Sequence, residues 1–386
     1  MKKFRLHVVA LPHTQTSLRH SACAFTIKVL RFCRMMTSLG HDVFHYGAEG
    51  SEVQDFTAED IPVISLAEQE VYFGPFDPNK LYDCVFSPEA PHWKALNERS
   101  AAEINRRKRP RDIVCIIMGR SNLPLAKLVP DLPIVEFGIG YNGPFSNFRV
   151  YESYAHMHKI WGVEKGYDPD ASYYEVVIPN YYDPSEYPFK YEKEDYFLYL
   201  GRLVSRKGVA IAVEICQRIG AKLVLAGQGC TKVEGNAIHC ADGSIYKGDN
   251  LVYAGCVIGE ERAKLLQNAR AVITPTVYTE PFCGVAVEAQ LSGTPVITAP
   301  HGAFSETVEH GRTGFRCHTM DHFVWAAKHV HELDPRYIHQ RAVANYSMDR
   351  VRWMYQEYFE MIDDLRREGW YEIHEDRQNL DWLRRY

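Results

Sequence analysis

At 386 residues and 46% hydrophobic, the chain is long enough to fill two or three ordinary domain cores and too apolar to be disordered. A net charge of -5 supplies no global field that would draw it to nucleic acid or to a membrane. The cysteines at 23, 33, 84, 115, 216, 230, 240, 256, 283 and 317 form no C-x-x-C pair, which predicts reduced thiols and a cytoplasmic protein. No apolar run approaches the length of a transmembrane segment, and residues 1–12 lead into a strand rather than towards a cleavage site.

In chain order, the apolar pattern predicts a strand over 5–11, a helix over 22–39 closing at Gly40, and a strand over 42–46, a β-α-β opening. Further strands are expected over 62–66, 82–87, 112–118, 133–137, 159–163 and 175–178, with a helix over 91–107. Turn formers crowd residues 179–188, the natural linker. The alternation then restarts with strands over 196–200, 222–226, 251–254 and 271–275 and helices over 208–219 and 260–268. Two such blocks predict an α/β protein of two doubly wound parallel sheets, with ligands outside the carboxyl ends of the strands and in the cleft between domains. The division expected is 1–182 and 183–347, followed by an amphipathic helix from 348 to 367 and a charged, aromatic tail to 386.

Two stretches carry chemistry. Thr279-Glu280-Pro281-Phe282-Cys283-Gly284 follows a strand and opens a helix that contains Glu288. Free backbone N–H groups at a helix start, with Gly284 permitting close approach, can cradle an anion, and an ionised carboxylate accepts bonds from neighbouring sugar hydroxyls. Taken alone, a Glu-x7-Glu pattern is more often a loop charge and a solvated helix position. The second stretch, Gly201 to Gly208, lies between a strand end and a helix start and offers the planar fork of Arg202 and the mobile charge of Lys207, a pairing suited to a diphosphate.

In order and spacing, Gly201-Arg202-Leu203 with Lys207-Gly208, Ala226-Gly227 with Gly229, the Glu280 to Glu288 block, Ser292-Gly293-Thr294-Pro295 and Gly311 with Thr313-Gly314-Phe315 resemble the retaining glycosyltransferases of family 4. The resemblance is strong over roughly residues 175–350 and weak before them, where the chain looks like a divergent phage-type group. It implies the GT-B fold, two facing Rossmann-like domains, with the final helix crossing back to the first domain. It also implies that Arg202 and Lys207 contact the donor diphosphate, that Glu280 holds hydroxyls of the transferred sugar, and that amides of Phe282, Cys283 and Gly284 assist. Glu288 would hold the ribose of a nucleoside diphosphate sugar, a UDP-sugar being favoured. Transfer would retain the anomeric configuration, the leaving phosphate taking the acceptor proton, with no cofactor or metal required.

The sequence departs from that family at residues 134–143, which lack the usual histidine. Glu136, Tyr141 and Asn142, or His13, His20 and His92, are the substitutes considered, and His13, Gln15, Tyr141, Asn142 and Arg107 the residues assigned to the acceptor side. The acceptor is expected to be a glycan or small metabolite. The alternative is a hydroxymethylated pyrimidine in DNA, met by the basic run Arg106 to Arg111, Trp93 and the terminal Arg384-Arg385. A nucleotide-sugar epimerase and a non-catalytic sugar-nucleotide binder are the readings of other classes. Asp168-Pro169-Asp170 reads as a surface turn rather than a metal site, His239-Cys240 as loop, and Gly138, Gly140 and Gly143 as no dinucleotide fingerprint.

Overall fold

The computed structural model describes residues 1–77 and 84–367. The first half builds a seven-stranded, wholly parallel sheet from β1 (Arg5–Val9), β2 (Asp42–Ala48), β3 (Glu59–Ile64), β4 (Ile113–Ile116), β5 (Ile134–Ile139), β6 (Phe148–Tyr151) and β7 (Glu175–Val177), in the order β3-β2-β1-β4-β5-β6-β7. Helices α1 (Ala24–Ser38), α2 (Leu66–Phe73), α3 (Pro91–Arg107), α4 (Leu123–Leu128) and α5 (Tyr154–Lys165) connect the strands. Leu6, Val8 and Val9 are fully buried, as expected of a strand covered on both faces.

The second sheet has the order β13-β9-β8-β14-β15-β16 and is again parallel. Its strands are β8 (Phe197–Leu200), β9 (Leu223–Ala226), β13 (Leu251–Tyr253), β14 (Ala271–Thr274), β15 (Val296–Thr298) and β16 (Gly314–Arg316). Helices α6 (Val209–Ile219), α7 (Gly259–Asn268), α8 (Gly284–Leu291), α9 (Phe304–Thr307), α10 (Met320–His329) and α11 (Pro335–Tyr346) surround it. A small antiparallel sheet of β10 (Cys230–Glu234), β11 (Ala237–Cys240) and β12 (Ile245–Lys247) sits in the connection from β9 to β13. In each large sheet the winding reverses beside the first strand, between β1 and β4 and between β8 and β14. That reversal opens a crevice at the carboxyl ends, and the loops after β1, β8 and β14 all leave from it.

Two strands of chain join the halves. Tyr182 N–H donates to Tyr346 O at 2.9 Å and Met348 N–H to Tyr182 O at 2.8 Å, so the outgoing and returning crossings lie side by side. The returning helix α12 (Met348–Arg367) then buries Val351, Met354, Tyr355, Tyr358, Phe359 and Ile362 in the same core as β1 and β4. Across the front, Ser153 Oγ donates to Pro281 O at 2.6 Å, while the Glu306 carboxylate accepts from the amides of Tyr154 and Ala155 at 2.9 and 2.8 Å. A carboxylate of the second half therefore caps a helix of the first, satisfying donors that helix cannot satisfy itself.

Three expectations need correction. Residues 159–163 are not a strand but the middle of α5, where Ser153 caps the amide of His156 and Met157 and Ile160, three apart, fill a small core with Ile139, Tyr151 and Val177. The apolar alternation there is half of a helical stripe. No strand forms over 84–87, the rest of the 82–87 expectation lying outside the described residues. The β10–β12 sheet was not anticipated, although Gly235 at φ 59° in a two-residue loop and Asp242-Gly243 are hairpin signals. The tail with Arg384 and Arg385 lies outside the described residues.

Phe359 is fully buried, its ring 6.1 Å from that of Phe4 and 6.4 Å from that of Phe32. Phe359→Ala is expected to cost about 3–5 kcal/mol of stability, read as a lowered denaturation midpoint, with the loss falling on the first half of the chain.

Candidate active site

Between the two halves lies a cleft of about 1060 Å³ lined by the loops after β1, β8 and β14. Two glycines bring its floor together. Gly208 has φ +77°, and a Cβ there would stand 2.1 Å from the carbonyl oxygen of Pro275, so only glycine lets the turn after β8 pack on the loop after β14. Gly302, at φ +66°, does the same beneath Glu280, where a Cβ would lie 2.7 Å from its amide nitrogen.

This packing sets Lys207 against Glu280. The Lys207 ammonium donates to Glu280 Oε1 at 2.6 Å and the Tyr278 hydroxyl donates to Oε2 at 2.7 Å. Glu280 is only 2% exposed. Burial pulls the Lys207 pKa down, but the adjacent Glu280 charge outweighs it and the ammonium is held above its ordinary range. Arg206 lies over the Tyr278 ring at 4.1 Å, and Arg202 stands exposed on the cleft wall. The unexpected β10–β12 sheet contributes here: Asp242 accepts from the Ser205 amide at 2.7 Å and from its hydroxyl at 2.8 Å, fixing the turn that carries Arg206 and Lys207.

Next to Glu280, Cys283 takes φ +65° and Gly284 begins α8. Phe282, also on the lining, packs its ring against Tyr346 at 5.9 Å. Glu288 lies one helical step deeper and its Oε2 accepts two bonds from Arg262, at 2.9 and 2.5 Å. Burial opposes the Arg262 charge, but Glu288 outweighs it and raises the pKa. On the facing wall stand His13, His20, Cys23, Lys28 and Arg31. Lys28 pairs with Glu152, which also accepts from Asn180 at 3.0 Å.

Arg202, Lys207, Glu280, Phe282, Cys283, Gly284 and Glu288 thus line one cleft, and His13 and His20 face them. Gln15, Tyr141, Asn142 and Arg107 lie off that lining. Gln15 is bonded to Gln69 and His20, Asn142 is exposed, and Arg107 pairs with Glu59 and Glu103 beside a separate hollow. Glu136 and Tyr141 bond to each other at 3.0 Å, and Glu136 also accepts from the amides of Phe145 and Ser146. That arrangement satisfies a buried carboxylate rather than presenting one. His92 is off the lining as well, bonded to Val85 O at 3.0 Å. Asp168 and Asp170 are exposed in the irregular connection after α5. Sequence reading missed Lys28, Arg31, Asp242 and Arg262, since nothing local marks them as neighbours of the motifs.

Residues 185–343 match the family model of glycosyl transferases group 1. An uncharacterized glycosyltransferase of Methanocaldococcus jannaschii is 32% identical over 145 residues, covering 36% of this chain and 36% of that protein. Glycogen synthase of Mycobacterium tuberculosis is 32% identical over 155 residues, covering 38% of this chain and 36% of its own length. The chain therefore matches about a third of the length of these relatives. The fold is GT-B: AviGT4, a glycosyltransferase involved in avilamycin A biosynthesis, superposes with a TM-score of 0.64 at 21% identity over 93% of this chain and 98% of its own. Anabaena HepE in complex with UDP and glucose gives 0.64 at 13% identity, over 92% and 98%.

The floor of the cleft predicts its own energetics. Lys207→Met strands a buried carboxylate and is expected to cost about 2 kcal/mol, less than for a wholly buried pair because a fifth of the lysine side chain meets solvent. The double variant Lys207→Met with Glu280→Gln should recover most of that loss, which a double-mutant cycle of unfolding midpoints measures.

Proposed function

We propose that the chain is a retaining glycosyltransferase that moves a sugar from a uridine diphosphate donor to a hydroxyl of a glycan or small-molecule acceptor. The observation that carries this reading is the Lys207–Glu280 pair on the cleft floor, beside the start of α8. It is a cation and a carboxylate already largely desolvated, the form in which charges act most strongly on a reacting group. The glycosyl transferases group 1 match over residues 185–343 and the UDP carried by Anabaena HepE support the donor class.

In this reading Lys207 leaves Glu280 for the diphosphate when donor enters, joined by Arg202, and the freed Glu280 accepts hydroxyls of the sugar. Amides at the start of α8 meet the donor's polar edge. Both Arg262 bonds go to one oxygen of Glu288, leaving Oε1 directed to a ribose. Charge developing on the leaving phosphate is stabilised by Lys207 and Arg202, and that phosphate takes the acceptor proton on the same face. No metal or further cofactor is assigned a step.

A glycan or small acceptor is preferred to DNA because the basic run lies off the cleft lining and four of its five cations are paired. Arg106 and Arg107 bond to Glu103, Lys108 to Asp131 at 2.6 Å and Arg111 to Asp363 at 2.6 Å, and Arg106 and Arg107 border the separate hollow.

A screen of sugar nucleotides by thermal shift should single out a UDP-sugar, with about 2.7 kcal/mol of stabilisation at a hundredfold excess over Kd. NMR of the product should give the donor's anomeric configuration. Glu280→Ala should remove transfer, and Arg202→Ala should lower kcat about a hundredfold. Unchanged turnover in Glu280→Ala overturns the site; sugar appearing on hydroxymethylated DNA replaces the acceptor; binding without turnover favours a non-catalytic binder.

A further inference from the structure

The cleft wall opposite Glu280 holds a second chemical group, to which the transfer steps above assign no role. Cys23 is the residue before the first turn of the fifteen-residue helix α1, and its Sγ lies 3.6 Å from His13 Nε2. His13 is 8% exposed and Cys23 is half-buried, and both line the cleft. Cys84 lines the same wall, its thiol 3.8 Å from His92 Nε2, and Thr26, in the first turn of α1 beside Cys23, bonds its hydroxyl to that of Thr14 at 2.6 Å.

We propose that Cys23 and His13 form a thiolate–imidazolium pair that makes Cys23 a modification site for peroxides within the cleft. The remaining observations agree. Burial lowers the imidazolium of His13, but its bonds with the two thiols reverse the effect and raise its pKa to about 10. Burial raises the Cys23 thiol, yet the His13 bond and charge outweigh it and bring it to about 7. A thiolate at a helix start beside a cation is the reactive form of cysteine. Cys33 and Cys115, buried in the apolar core, are pushed up instead.

The reaction balances with peroxide as the only co-reactant. The Cys23 thiolate attacks one peroxide oxygen, forming an S–O bond as the O–O bond breaks, and sulfur is oxidised to the sulfenic acid while peroxide is reduced. The departing hydroxide takes the proton of the His13 imidazolium and leaves as water. The sulfenic acid then stands in the space between the two domains, across from the Lys207–Glu280 pair.

The test uses the whole protein and does not depend on sugar transfer, so it stands or falls separately from the proposed function. The protein is treated with hydrogen peroxide and dimedone, which traps sulfenic acid, and each cysteine is quantified by peptide mass spectrometry. Cys23 should label at least tenfold faster than Cys230 and Cys256, which are also partly exposed. His13→Gln should slow that labelling tenfold or more. Thr26→Val, which removes a donor and leaves His13, should slow it less and guards against a His13 variant that fails to fold. Labelling of Cys230 or Cys256 ahead of Cys23, or a Cys23 rate unchanged in folded His13→Gln, overturns the proposal.

Discussion

A buried carboxylate must be met by a cation or by donors, and most of the cleft is arranged around meeting that demand for Glu280. Its partners come from separate segments: Lys207 from the turn after β8, Tyr278 from the loop after β14, and the Gly302 turn beneath. Each segment is fixed by something else in turn. Gly208 removes the side chain that would hold the turn away from Pro275, and Asp242 ties Ser205 to the antiparallel sheet. Leaving the carboxylate unpaired would cost several kcal/mol, so the loops are held in the one arrangement that satisfies it.

The same logic links the two halves. The amino end of α5 has donors that its own helix cannot use, and Glu306 of the second half accepts from two of them. The paired crossings at Tyr182 and Met348 and the burial of α12 in the first core add a second tie. A cleft walled by two sheets is thereby held at a width set by a few polar contacts at the front and an apolar anchor behind. Contacts of the first kind exchange with solvent more readily than the second, and motion between the halves would pivot on the anchor.

The two faces of the cleft differ in chemistry. The floor carries alternating charge, Lys207 with Glu280 and Arg262 with Glu288, suited to a ligand that is itself charged and rich in hydroxyls. The facing wall mixes imidazoles and a thiol with the Lys28–Glu152 pair. A ligand spanning the cleft meets charge on both sides and, on the facing wall alone, imidazoles beside it.

Much of this was legible in the chain itself. Alternating apolar runs separated by glycine turns bury themselves well as parallel strands covered by helices, so the fold class and, the β10–β12 sheet aside, the order of elements from Phe197 to Ile297 were readable, as was the Glu280 to Glu288 block. What was not readable depends on contacts between distant residues. Residues 159–163 alternate like a strand, yet they continue a helix capped at Ser153, with Ile160 packed against Ile139, Tyr151 and Val177. Tyr141 and Arg107 look accessible in sequence, yet one bonds to Glu136 and the other to Glu59 and Glu103. Nothing local marks Asp242, Arg262 or Cys23 as neighbours of the site. Local pattern determines which element a residue joins, because backbone bonding and side-chain period act over a few residues; which charges end up facing one another is decided by how the finished elements pack.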